Sequence, residues 1–188
     1  MKKNLFILSL AFTAVSFFSC KKAEVIPAKQ DDVVIGRTDL PDSGCPATTV
    51  TLFAGQTIDA GTVSVTNDAN YIYVTYTTAN GWYLTQTHLF VGDCAAIPVN
   101  NPGNPIPGQF PYSGSHANLT TYTYQVPISK IPAGGCGCIA AHSVVVKLNA
   151  NGSVASQQTG WGAGTQINLG SGNWGMKFGY CSCTVAAQ

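Results

Sequence analysis

The sequence predicts an all-β domain, an antiparallel two-sheet β-sandwich carrying disulfides, with a β-barrel as the alternative architecture. Three observations predict it. Apolar residues alternate with Thr, Ser and Asn in short runs, turn residues separate these runs at regular spacing, and no segment beyond the first twenty residues keeps a helical period.

Taken in chain order, Val63 and Val65 alternate with Thr62, Ser64 and Thr66, then Asn67-Asp68-Ala69-Asn70 turns and Tyr71 to Thr77 returns, which is a hairpin pattern. A second turn, Asn80-Gly81, leads into a strand from Trp82 to Val91, in which alternation puts Trp82, Leu84, His88 and Phe90 on one face. Tyr122–Val126, Ile139–Leu148 and Trp174–Val185 read as further strands, and Asn149-Ala150-Asn151-Gly152 as another hairpin turn. Between Cys94 and His116 stand Pro98, Pro102, Pro105, Pro107 and Pro111. Proline cannot donate to a sheet ladder, so this stretch is a semi-rigid loop, either functional or a cover over part of a sheet.

Charge narrows the function classes. From residue 45 onward the charged side chains are Asp59, Asp68, Asp93, Lys130, Lys147 and Lys177, with no Glu and no Arg. There is no basic patch for nucleic acid, no arginine fork for phosphate, and only three aspartates from which to draw a glycosidase's carboxylate pair. No Gly-x-Ser-x-Gly elbow is present. No catalytic residue is assigned.

The first forty-four residues differ in kind. Lys2 and Lys3 precede an apolar run from Leu5 to Phe18, too short to span a bilayer, and Ser19 and Cys20 follow it. Basic start, apolar run and a cysteine at the cut point resemble the lipobox of bacterial lipoproteins, in the relaxed form (Phe17-Phe18-Ser19-Cys20) of Bacteroidetes members. The resemblance implies a signal peptide over 1–19 and lipidation of Cys20. Residues 20–44 carry much of the charge and read as the lipidated cysteine and a flexible tether, leaving the sandwich domain at 45–188. Lys21 lacks the Asp of an inner-membrane retention signal, so the implied location is the outer membrane, on either its periplasmic or its cell-surface face.

Setting Cys20 aside leaves six cysteines, an even set suited to disulfides in an oxidising compartment. Cys136-Gly-Cys138 and Cys181-Ser-Cys183 each present two sulfurs on one strand face. Two parallel disulfides between them are expected rather than a tetrathiolate zinc site, with Cys45 and Cys94 left to pair, although connectivity is not fixed by sequence.

Three histidines occur: His88 in Thr-His-Leu-Phe-Val-Gly, His116 after Gly-Ser, and His142 in Ala-Ala-His-Ser-Val-Val. Together with Gly108-Gln-Phe-Pro-Tyr112 and Trp161-Gly-Ala-Gly164, these segments resemble a recurrent secreted bacterial β-domain, a resemblance that implies no activity and no site residues. His88, His116 and His142, with Asp93 as a carboxylate, are the candidates for a zinc or copper site; apart from that set, no cofactor is implied. Trp161, Trp82 and Tyr112 are the candidates for an aromatic platform facing a neutral ligand. Trp161, flanked by glycines, is placed in a loop.

These readings converge on a lipid-anchored, non-catalytic envelope module that binds a neutral ligand such as glycan, or a protein partner. The alternatives are a metal-binding protein or metalloenzyme built on the three histidines, and a purely structural envelope protein. The partners implied are the membrane, through the anchor, and a glycan or envelope protein, with no nucleic acid.

Overall fold

The computed structural model describes residues 45–131, 133–170 and 172–184; the expected signal peptide, Cys20 and the expected tether lie outside the described residues. Ten strands follow one another: β1 (Thr48–Ala54), β2 (Ile58–Asn67), β3 (Tyr71–Thr78), β4 (Trp82–Gly92), β5 (Tyr112–Leu119), β6 (Thr121–Pro127), β7 (Cys136–Leu148), β8 (Val154–Gly162), β9 (Thr165–Gln166) and β10 (Met176–Cys181). All the ladders are antiparallel. The order is β5-β4-β7-β8-β1-β2-β3-β6, with β10 beside β7 and β9 beside β10.

Two four-stranded halves face each other across a core, as a sandwich requires, but they are continuous. β1 pairs with β8 from Leu52↔Gly162 to Ala54↔Gly160, so a single sheet curls almost into a barrel. The core between the halves is aliphatic and tyrosyl, with Leu52, Val63, Val74, Tyr76, Leu84 and Tyr124 all essentially buried. Each fully buried aliphatic side chain of this kind contributes about 1.5–3 kcal/mol.

The turn chemistry acts as the sequence predicts. In the β2–β3 hairpin, Asp68 Oδ1 accepts from the N–H of Asn70 and of Tyr71, and Oδ2 accepts from the Tyr73 hydroxyl. Burial pushes this carboxyl up, but the three hydrogen bonds outweigh it and hold Asp68 below the usual carboxylate range. The Asn149–Gly152 turn joins β7 to β8, with Gly152 at φ 81°.

One prediction fails at a bulge. β4 slips register between Leu84 and Gln86 against both of its neighbours, β5 and β7. The extra residue reverses the side-chain phase. Trp82 and Leu84 point into the core, and after the bulge Leu89 and Val91 do so, while Phe90 belongs to a separate cluster on the outer face. Trp82, Leu84, His88 and Phe90 therefore do not share a face. A second correction concerns Trp161, which lies within β8, next to its last residue Gly162, and is not in a loop.

That outer cluster, Phe90, Ile97, Phe110, Cys138, Ala140 and Trp161, lies where the proline-rich segment folds back over β4, β7 and β8. Ile97 and Phe110 come from that segment, so it covers a sheet face; it carries short 3-10 turns at Cys94–Ala96 and Pro107–Gln109 and an isolated bridge between Val99 and Pro105.

All six cysteines are bridged, but not as expected. Cys136 joins Cys181, Cys94 joins Cys138, and Cys45 joins Cys183. Two parallel bridges between the C-x-C pairs would need Cys136 opposite Cys183 and Cys138 opposite Cys181. The β7–β10 ladder instead sets Cys136 opposite Cys181 and Cys138 opposite Gly179, two residues out of that register. Cys138 is thereby left to hold the proline-rich segment, and Cys183 to hold the start of the domain.

Candidate functional site

The register of five strands builds a row on the outer face of the sheet. Ser113 (β5) stands opposite His88 (β4), His88 opposite His142 (β7), His142 opposite Trp161 (β8), and Trp161 opposite Phe53 (β1). Directly opposed residues on neighbouring strands have side chains within reach of one another.

At the centre the two imidazoles meet, Nδ1 to Nδ1, at 3.2 Å. A neutral imidazole has one N–H and one lone-pair nitrogen, so one ring donates through Nδ1 and the other accepts there. The two rings thus hold opposite tautomers. On its far side His142 sits against the Trp161 ring, with centroids 4.8 Å apart in an edge-to-face arrangement. Burial, and then the neighbouring His88, depress His142 to a pKa of about 3; burial also lowers His88, which is half-buried. The pair is uncharged at neutral pH.

On its exposed side His88 opens onto a hollow of about 370 Å³, lined with Gln86, Ser113, Gly114 and Ser115. Hydroxyls, an amide, an imidazole and peptide groups make this a surface of uncharged donors and acceptors. No carboxylate lines it. A Ser-His-acid set would need an acid at the inner imidazole nitrogen, where His88 has His142 instead. Sequence reasoning named His88 but missed Gln86, Ser113 and Ser115. The only signal available was the polar Ser-Gly-Ser run, which looks the same in a loop.

His116 does not join the pair. It lies on the inner side of β5, where its Nε2 is 2.8 Å from Thr87 Oγ1 and its ring packs against Tyr122 with centroids 4.2 Å apart. Burial lowers its pKa as well. Asp93 is elsewhere again, accepting from the Ala95 N–H at the start of a 3-10 turn. Among the described residues no three His, Cys, Asp or Glu side chains gather as a metal-holding group. The expected constellation of His88, His116, His142 and Asp93 is therefore not assembled, because the face reversal in β4 puts His88 outside and Thr87, with its partner His116, inside.

The expected aromatic platform is not assembled either. Trp82, Tyr112 and Trp161 are each 4% exposed. Trp82 and Tyr112 are in the main core, with the Lys147 ammonium 5.1 Å from the Trp82 ring, and Trp161 is under the proline-rich segment. Trp161 serves the site from behind, as the wall against which His142 is held.

Comparison with known proteins finds no family model that matches the chain, and neither a curated protein nor a solved structure that matches it.

Proposed function

We propose that the chain is a lipid-anchored envelope module, non-catalytic, whose domain binds a neutral hydroxyl-rich ligand of the glycan class in the hollow beside His88. The observation that carries the reading is the lining: Gln86, His88, Ser113 and Ser115 offer donors and acceptors in a concave surface without a charge. A sugar hydroxyl both donates and accepts, and so do a serine hydroxyl and a neutral imidazole. The Nδ1–Nδ1 contact with His142 fixes the orientation of the His88 ring, which lowers the ordering cost of binding. The envelope location rests on the Cys20 lipobox and the charged tether behind it.

The test is retention of the purified chain on neutral polysaccharides and a glycan array, followed by titration of any ligand retained. Wild type is expected to bind, while His88→Ala and Ser113→Trp, one removing a partner and the other filling the hollow, lose binding with their unfolding midpoints preserved. Failure of the wild type to bind any neutral glycan, or binding unchanged in both variants, would overturn the reading.

A further inference from the structure

We propose a second ligand site, for a small amphiphilic carboxylate of the medium-chain fatty-acid type, in the cleft between the proline-rich segment and the loop that follows β9. The cleft has a volume of about 390 Å³, within the range of about 300–1,000 Å³ usual for small-ligand pockets. It shares no residue with the hollow beside His88.

Ala95, Ile97 and Val99 form one wall, and Ile167 and Leu169 line the cleft from the loop after β9. Leu169 is 86% exposed and Val99 45% exposed. Exposed apolar residues scattered singly need no explanation, but here they converge on one concavity. Lys177 lines the same cleft, and no carboxylate does. Only three cations occur from residue 45 onward (Lys130, Lys147 and Lys177), so a lysine among apolar walls is a specific feature of this surface. A single ammonium is a point charge without the fork that favours phosphate, and it matches a monoanionic carboxylate whose alkyl chain covers the apolar walls.

The cleft is also built in advance. The Cys94–Cys138 bridge fixes one end of its first wall, and Val99 is held by a bridge to Pro105. Asn168, between Ile167 and Leu169, donates to Pro102 O at 3.2 Å and to Asn104 Oδ1 at 3.1 Å, stitching the two loops together. Walls held apart by covalent and hydrogen-bonded ties do not have to be ordered by the ligand.

Calorimetric titration of the full-length chain carrying Cys20→Ser, which has no acyl group of its own, tests the site with hexanoate, octanoate and decanoate below their micelle concentrations. The expected result is saturable one-to-one binding that tightens with chain length, by up to about fourfold per buried methylene. Lys177→Gln is expected to weaken decanoate about tenfold or more while leaving decanol unaffected, as loss of a charge-assisted hydrogen bond would. Leu169→Asp, a change at an exposed position, is expected to weaken both, and His88→Ala neither. Non-saturable binding, no dependence on chain length, full affinity in Lys177→Gln or Leu169→Asp, or equal loss in His88→Ala would each overturn the proposal. None of these results depends on whether the hollow beside His88 binds glycan.

Discussion

The Nδ1 atoms of His88 and His142 face each other at 3.2 Å across the β4–β7 ladder, so the folded sheet holds two neutral imidazoles together on its outer face. In the unfolded chain both rings protonate near the ordinary histidine value of about 6.5. In the folded protein His142 resists protonation down to about 3, and His88 and His116 are also lowered, each by burial. Below about pH 6.5 the unfolded state therefore binds more protons than the folded one, and stability rises with pH. For His142 the contribution is complete above about pH 6.5 and is lost as pH falls towards 3, at up to about 1.4 kcal/mol per pH unit, and the lowered His88 and His116 act in the same direction. Urea unfolding followed between about pH 7 and pH 5 is expected to show the midpoint falling on acidification. His142→Gln should flatten that slope; an equally steep slope in the variant would remove His142 as its source.

The disulfide pattern makes a separate prediction. With Cys136–Cys181, Cys94–Cys138 and Cys45–Cys183 in place, the double variant Cys136→Ser/Cys181→Ser retains two complete bridges. Thiol titration of the unfolded, unreduced domain should then find no free thiol among these six positions. The pairing Cys136–Cys183 with Cys138–Cys181, which the other antiparallel register would set, would instead leave Cys138 and Cys183 free. Two reactive thiols would thus contradict the observed β7–β10 register.

What could be read from sequence divides along physical lines. The β2–β3 and β7–β8 hairpins and the proline-rich cover are legible because local residues dictate them: Asp68 and Gly152 set the turns, and prolines forbid a ladder. β5 was missed because an edge strand exposed at most of its positions, as Ser113 to Leu119 is, has no apolar alternation to display. β8 was missed because its glycines look like loop residues. Yet a Cβ at Gly160 would stand 2.9 Å from both Phe53 O and Ser143 Oγ, so that glycine is there for close strand packing. The bulge after Leu84 has no compositional sign, although it decides which face every later β4 residue occupies. His88 and His142 could be named as candidates, but their meeting depends on long-range register, and so does the separation of His116 from them.

Tyrosine hydroxyls close the barrel where its edges do not pair. β5 and β6 are the two ends of the strand order. Across that gap Tyr76 donates to His88 O at 3.1 Å, and Tyr124 lies 2.7 Å from Thr87 Oγ1 and donates to Thr87 O at 3.3 Å. Burial raises the pKa of both phenols, so they remain protonated across the working pH range. Tyr76→Phe and Tyr124→Phe should each destabilise by about 0.5–1.5 kcal/mol. Thr87→Val removes the hydroxyl that contacts both Tyr124 and His116, leaving Tyr124 only the Thr87 carbonyl, and should cost more than Tyr76→Phe. A double-mutant cycle of Tyr124→Phe with Thr87→Val should show coupling, since the residues share one network. Strict additivity would mean that these contacts do not hold the seam.

Asn67 should be the least replaceable polar residue of the core. It is 0% exposed. Its Nδ2 donates to Asp68 O at 2.8 Å and to Cys183 O at 3.0 Å, while its Oδ1 accepts from the Tyr180 hydroxyl at 2.8 Å and from the Cys183 N–H at 3.0 Å. Two donors and two acceptor positions are all used, the most a carboxamide can satisfy. They tie the end of β2 to β10 and to the Cys45–Cys183 bridge. Asn67→Ala would leave several of these groups buried and unpaired, at about 1–3 kcal/mol for each one that water cannot reach. Asn67→Asp is nearly the same size but turns two donors into acceptors facing the carbonyls of Asp68 and Cys183. It should therefore protonate or unfold rather than sit ionised between them. Chemical unfolding at neutral pH should rank the variants wild type, Tyr180→Phe, then Asn67→Ala. Asn67→Asp should recover part of its stability as the pH is lowered, against the trend that the histidines impose on the wild type. If Asn67→Asp instead tracks the wild-type pH profile, its carboxyl is solvated and the network does not lie in the core.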